Sequence, residues 1–113
     1  MAFRIKDLQR SDGLWSPSLL DSEEDWPRES SGTALFCYAL TWGLNQGILN
    51  KDIFFNTIER AWIGLNHSVS IEGKLCWVQQ SASEPKLVKE SDFQEYGAGA
   101  FLLAASEIYK MIL

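Results

Sequence analysis

The residues of this sequence best suited to meeting a ligand are tryptophans. Trp15 and Trp26 stand among polar residues in one stretch, and Trp77 closes a run of alternating residues. Five Trp in 113 residues is a high count. Such rings are costly to expose, so they fill a core or line a groove. Acid chemistry has fewer candidates. Asp21, Glu23, Glu24 and Asp25 form a run without the spacing or the glycine of a calcium loop, which predicts a solvated loop. Glu29 precedes Ser30 and Ser31, a cluster suited to capping a helix start or to hydrogen bonding at a pocket edge. His67 is the single histidine, and Cys37 and Cys76 are the two cysteines. That set is a poor metal site and no disulfide framework, so neither metal nor cofactor is expected. Tyr96-Gly97-Ala98-Gly99 resembles a phosphate-cradling turn but lacks the lysine such a loop needs, so close helix packing is the better reading.

These residues need elements to hold them. Residues 1–10 read as a short helical piece stopped by Asp12-Gly13, and residues 14–29 as a loop opposed to helix by Pro17 and Pro27. A helix from about Gly32 to Asn45 is apolar on nearly all sides, which predicts burial on nearly all sides. A third helix, capped by Asn50 or Asp52 and reaching Asn66, carries Phe54, Ile58, Ala61, Trp62 and Leu65 on one face. Residues 69–79 alternate around Gly73 as a short β-hairpin, placing Trp77 and Gln79 on the same side. After polar residues 80–95, a last apolar helix runs from about Ala98 to Ile112. The class is mainly α, one domain over residues 1–113, with two apolar helices that need neighbours this chain hardly supplies.

Composition bounds the partners. Hydrophobic residues make up 46% and charged residues 22%, an ordinary globular balance. A net charge of −5 without a basic cluster argues against nucleic acid. No stretch is long and apolar enough to span a membrane. Free thiols and the lack of a signal-peptide pattern at Met1–Lys6 lean toward the cytoplasm.

Three segments in order carry a resemblance: Asp12-Gly13-Leu14-Trp15-Ser16-Pro17-Ser18-Leu19-Leu20-Asp21, Glu29-Ser30-Ser31-Gly32-Thr33-Ala34, and Tyr96-Gly97-Ala98-Gly99-Ala100-Phe101-Leu102-Leu103-Ala104. Ala61-Trp62-Ile63-Gly64-Leu65 and Gly73-Lys74-Leu75-Cys76-Trp77-Val78-Gln79 fit between them. Together they resemble the unsaturated rhamnogalacturonyl hydrolases of glycoside hydrolase family 105, with the unsaturated glucuronyl hydrolases of family 88 further off. The resemblance implies the last two hairpins, and part of a third, of an (α/α)6 six-hairpin barrel. It implies a substrate with a 4,5-unsaturated uronic acid, released from pectic oligosaccharides made by a lyase. In that family an aspartic acid protonates the C4–C5 double bond, water adds at C5, and the hemiketal opens to free the next sugar. That aspartate lies upstream of the matched segments, so no catalytic residue is assigned and the chain is expected to be inactive alone.

The resemblance makes Trp15 a substrate contact or a plug in the barrel mouth. Glu29, Trp77 and Gln79 are the other expected substrate-binding residues, with helix capping as the rival use of Glu29 and a covering hairpin as the rival use of Trp77 and Gln79. Ser16 stands where the family commonly has an arginine suited to gripping a carboxylate. Two other readings stay open: a non-catalytic carbohydrate-binding module using Trp15, Trp26 and Trp77, and a helical homo-oligomer. A missing N-terminal segment is also compatible with the resemblance.

Overall fold

Four helices order the described chain: α1 (Ala2–Asp7), α2 (Ser31–Asn45), α3 (Lys51–Asn66) and α4 (Glu95–Ile112). The computed structural model describes residues 1–78 and 95–113. The expected helices are present with their ends close to where the caps put them. Asn50 starts α3 by accepting the Ile53 amide at 3.2 Å. Gly47, at φ +76°, ends the turn after α2, because a left-handed residue there costs glycine nothing.

The core lies between α2, α3 and α4. Phe54, Ile58, Ala61 and Leu65 recur at helical spacing and are all buried. Ala100, Ala104 and Ile108 form the matching stripe on α4. The small side chains of Ala100 and Ala104 let α2 and α4 lie close, which is the packing role expected for the glycine- and alanine-rich start of α4. Gly97 brings the start of α4 equally close to the segment at Val78, since a Cβ there would lie 2.8 Å from a methyl of Val78. Trp62 of α3 stacks on Phe101 of α4, with ring centroids 5.2 Å apart. At the far end Asn45 donates to the Glu107 backbone carbonyl at 2.9 Å and to its carboxylate at 3.1 Å. That hydrogen bond, with one from Lys110, holds the Glu107 carboxyl below its usual range.

Two expectations need correction. First, α2 is not buried on nearly all sides among the described residues. Ala34, Cys37, Leu40 and Thr41 face the core, but Trp42 is 44% exposed and Leu35 half-exposed. An apolar helix is buried all round only where neighbours cover it. Leu102, at 66%, continues this apolar exposure on α4. Second, the hairpin shrinks to a single antiparallel bridge, Val69 with Leu75, around the turn at Gly73 (φ +84°). Its alternation breaks at Trp77, whose φ is +60°. A left-handed residue turns the chain out of the pleat, so the two-residue period cannot be carried past it.

The long loop before α2 carries only one short 3-10 turn, Glu23–Asp25, and a single bridge between Trp15 and Glu29, and is held mainly by side chains. Arg10 donates to the Trp26 carbonyl at 2.8 Å, the Pro27 carbonyl at 3.2 Å and Ser16 Oγ at 3.1 Å. Arg60 donates to the Arg10 carbonyl at 2.8 Å. The acidic run is solvated as expected, though partly stitched down: Glu23 accepts the Ser11 amide and hydroxyl, each at 2.6 Å. Those bonds hold its carboxyl below the usual range.

Candidate functional site

One end of the helices gathers the side chains that the sequence marks out. The segments before α2, after the 69–75 turn and at the start of α4 converge there. Ser30 donates its amide to the Trp77 carbonyl at 2.8 Å, and its hydroxyl to the Cys76 carbonyl. Trp15 and Glu29 form an antiparallel bridge. Tyr96, in the first turn of α4, shares a hydrogen bond with Ser31.

Within this cluster Trp15 belongs to the core. Its residue is 1% exposed and its ring meets Phe36 edge-on at 5.3 Å. The indole N–H donates to the Ile5 carbonyl at 2.8 Å, and the backbone N–H to Thr33 Oγ1 at 2.9 Å. The ring is covered on both faces within the described residues.

Glu29 caps α2. One carboxylate oxygen accepts the Ser31 amide at 2.6 Å and hydroxyl at 2.8 Å; the other accepts the Gly32 amide at 2.8 Å. These are the amides a helix start leaves without intrahelical partners, and the negative charge suits the positive end of the helix. The carboxylate is 4% exposed, buried on the helix start by these donors. Its charge also reaches Tyr96: burial pushes that phenol above its ordinary value, the Ser31 hydrogen bond opposes this, and the Glu29 carboxylate adds to the rise.

Trp77 differs from Trp15. It is half-buried, and its indole lies under the Arg28 guanidinium, 5.3 Å from ring centroid to Cζ. Its left-handed backbone costs on the order of 1–3 kcal/mol for a bulky residue. The pair of hydrogen bonds from Ser30 to the 76–77 carbonyls holds that conformation in place. Gln79 lies outside the described residues. Trp26 sits apart on the loop and donates its indole N–H to Asp21 at 3.0 Å.

Ser16 is buried and engaged with Arg10, whose guanidinium is in turn taken up by two carbonyls and Asp12. Arg10 therefore does not replace the missing arginine as a carboxylate grip. Arg28 was not marked by the sequence, because its contact with Trp77 is far from local. A basic residue between a proline and a helix-capping glutamate was the available signal. Among the described residues no group of His, Cys, Asp or Glu could hold a metal. Cys37 is buried in the core, which pushes its thiol up to about 12, so it is inert as a nucleophile. What the described residues of this end offer is an aromatic ring with a cation on it.

The profile of Glycosyl Hydrolase Family 88 matches residues 1–112. An unsaturated 3S-rhamnoglycuronyl hydrolase of Alteromonas sp. (strain LOR) is 43% identical over 101 residues, covering 89% of this chain and 24% of that protein. A hydrolase of the same name from Formosa agariphila is 38% identical over 111 residues, covering 98% of this chain and 29% of its own length. The structure of a glycosyl hydrolase family 88 protein from Bacteroides vulgatus superposes with a TM-score of 0.90 at 38% identity, over all of this chain and 33% of that one. The chain thus spans about a quarter to a third of these relatives, with the helical architecture of the corresponding part. It belongs to glycosyl hydrolase family 88.

Proposed function

We propose that this chain supplies part of the substrate-binding end of a hydrolase acting on oligosaccharides that carry a 4,5-unsaturated uronic acid linked to rhamnose. The names of the two relatives support the unsaturated uronate and the rhamnose, and neither specifies pectin. The observation that carries the reading is the identity of 43% and 38% along nearly the whole chain, joined to a partly exposed tryptophan at the convergent end of the helices. No turnover is expected from the 113-residue polypeptide by itself. Its buried carboxylate at that end serves as a helix cap, and protonation of the C4–C5 bond needs a positioned acid. The check is the ultraviolet absorbance of the unsaturated uronate, followed with the pure chain: the signal should stay constant. A steady decline would mean that a carboxyl of this chain acts as the acid.

A second reading concerns assembly. Beside α1 and α2 lies an open apolar groove of about 530 Å³, lined by Ile5, Phe36, Ala39, Trp42 and Ile48 among others. Monomers rarely expose a large continuous apolar patch. The chain is expected to bury this groove against a second copy of itself. Light scattering on the purified chain should report a mass above 12.8 kDa. Trp42→Glu with Ile48→Glu, both on the groove lining, should bring the mass down to that of the monomer. A monodisperse monomer before any substitution would remove this reading.

A further inference from the structure

We propose that Arg28, held over Trp77, is a clamp for the carboxylate of an acidic sugar and sets the preference of this end of the chain for charged over neutral substrates. The inference rests on the carbohydrate reading above and deepens it.

Three observations carry it. Ser16 cannot grip a carboxylate, and the arginine nearest to it, Arg10, has its donors committed to the Trp26 and Pro27 carbonyls and to Asp12. The Arg28 guanidinium, by contrast, makes no hydrogen bond or ion pair with the described residues; its one contact there is the Trp77 ring at 5.3 Å. A ring contact uses none of the guanidinium N–H groups in hydrogen bonds, and those paired N–H groups match a carboxylate. The cation is thus oriented before any ligand arrives, which lowers the entropy lost on binding.

The second observation is the backbone beneath it. Trp77 sits at φ +60°, a conformation a bulky residue adopts only when the surroundings hold it. The surroundings that hold it are the two Ser30 hydrogen bonds, one residue after Glu29 and two after Arg28. The same short segment therefore fixes both the ring and the cation.

The third is the direction of charge. The chain carries 15 acidic and 10 basic residues, so a general attraction for an acidic sugar is absent. Glu29 is turned inward on the helix start, where three donors hold it, rather than toward Arg28 as an ion-pair partner. An acidic sugar would need a local cation such as this, whereas a neutral one would not.

The test uses two probes, an unsaturated uronyl–rhamnose disaccharide and the same disaccharide with its carboxyl reduced to the alcohol. Binding to the 113-residue chain is followed by calorimetry and by tryptophan fluorescence. The unaltered chain should bind the acid about tenfold or more tightly than the alcohol, as expected for a charge-assisted pair. Arg28→Ala should bind both alike, and Arg28→Lys should recover only part of the preference, since a point charge lacks the paired edge. Thermal melts should be nearly the same for all three chains, because Arg28 is not a core residue. Tight acid binding retained by Arg28→Ala overturns the clamp and leaves the carbohydrate reading standing. Binding of neither probe by the unaltered chain overturns both.

Discussion

Trp15→Ala is expected to lower the unfolding free energy by about 3–5 kcal/mol, the usual loss when a buried aromatic ring is removed. A small domain holds on the order of 5–15 kcal/mol in all, so this change alone should remove a large share of its stability. The ring is 1% exposed and its edge contact with Phe36 would go, leaving a cavity between α1 and α2. The Ile5 carbonyl would also lose the indole donor 2.8 Å away. Trp15→Phe separates these effects: most of the apolar volume stays, and the cost should fall to about 1–3 kcal/mol for an acceptor left without its donor. Urea titration followed by far-ultraviolet circular dichroism measures both. A midpoint unmoved by Trp15→Ala would place the ring outside the core and reopen its reading as a sugar contact.

The sequence was most legible where a physical rule acts over a few residues. The α3 stripe of Phe54, Ile58, Ala61 and Leu65, the Asn50 cap and the turn at Gly73 each depend on neighbours within a turn or two. Glu29 was legible for the same reason, since a carboxylate just before a helix start finds free amides there. Legibility failed where contact partners are distant in the chain. Residue type left Trp15 undecided between plug and sugar platform; the donor to Ile5 and the bridge to Glu29 place it inside. The apolar character of α2 correctly signals that it wants neighbours, but composition does not say how many are present. Period-two alternation implied that the strand continues to Gln79, and the hydrogen bonds from Ser30 turn the backbone at Trp77 instead. Arg28 had only a weak local signature, a basic residue between Pro27 and Glu29, because its contact with Trp77 exists only once the 28–31 and 75–78 segments meet.

The largest effect is expected at Gly13. A Cβ at this position would lie 2.2 Å from the Arg60 carbonyl oxygen and 2.8 Å from its carbon, and both are backbone atoms inside α3 that cannot swing aside. Gly13 also stands at φ +87°, where any side chain is strained. The approach is mutual: a Cβ on Gly64 would meet the Asp12 carbonyl oxygen and a Leu14 methyl, each at 2.8 Å. The 12–14 segment therefore lies on α3 through two glycines, one from each partner. Lifting it to admit a methyl group would draw Leu14 and Trp15 out of the core and break the tethers from Arg60 and Gln9. Gly13→Ala should cost more than about 4 kcal/mol, in the exceptional range for a single substitution. Gly73→Ala is the internal reference, since it shares the left-handed backbone (φ +84°) but has nothing within 4 Å of its added Cβ. It should cost only about 1–2 kcal/mol, the conformational part alone. Gly99→Ala, in open space within α4, should stabilise by about 0.5–1 kcal/mol. Thermal melts of the three variants measure the order. If Gly13→Ala loses no more than Gly73→Ala, the loop does not rest on the α3 backbone, and the placement of Trp15 that depends on it must be abandoned.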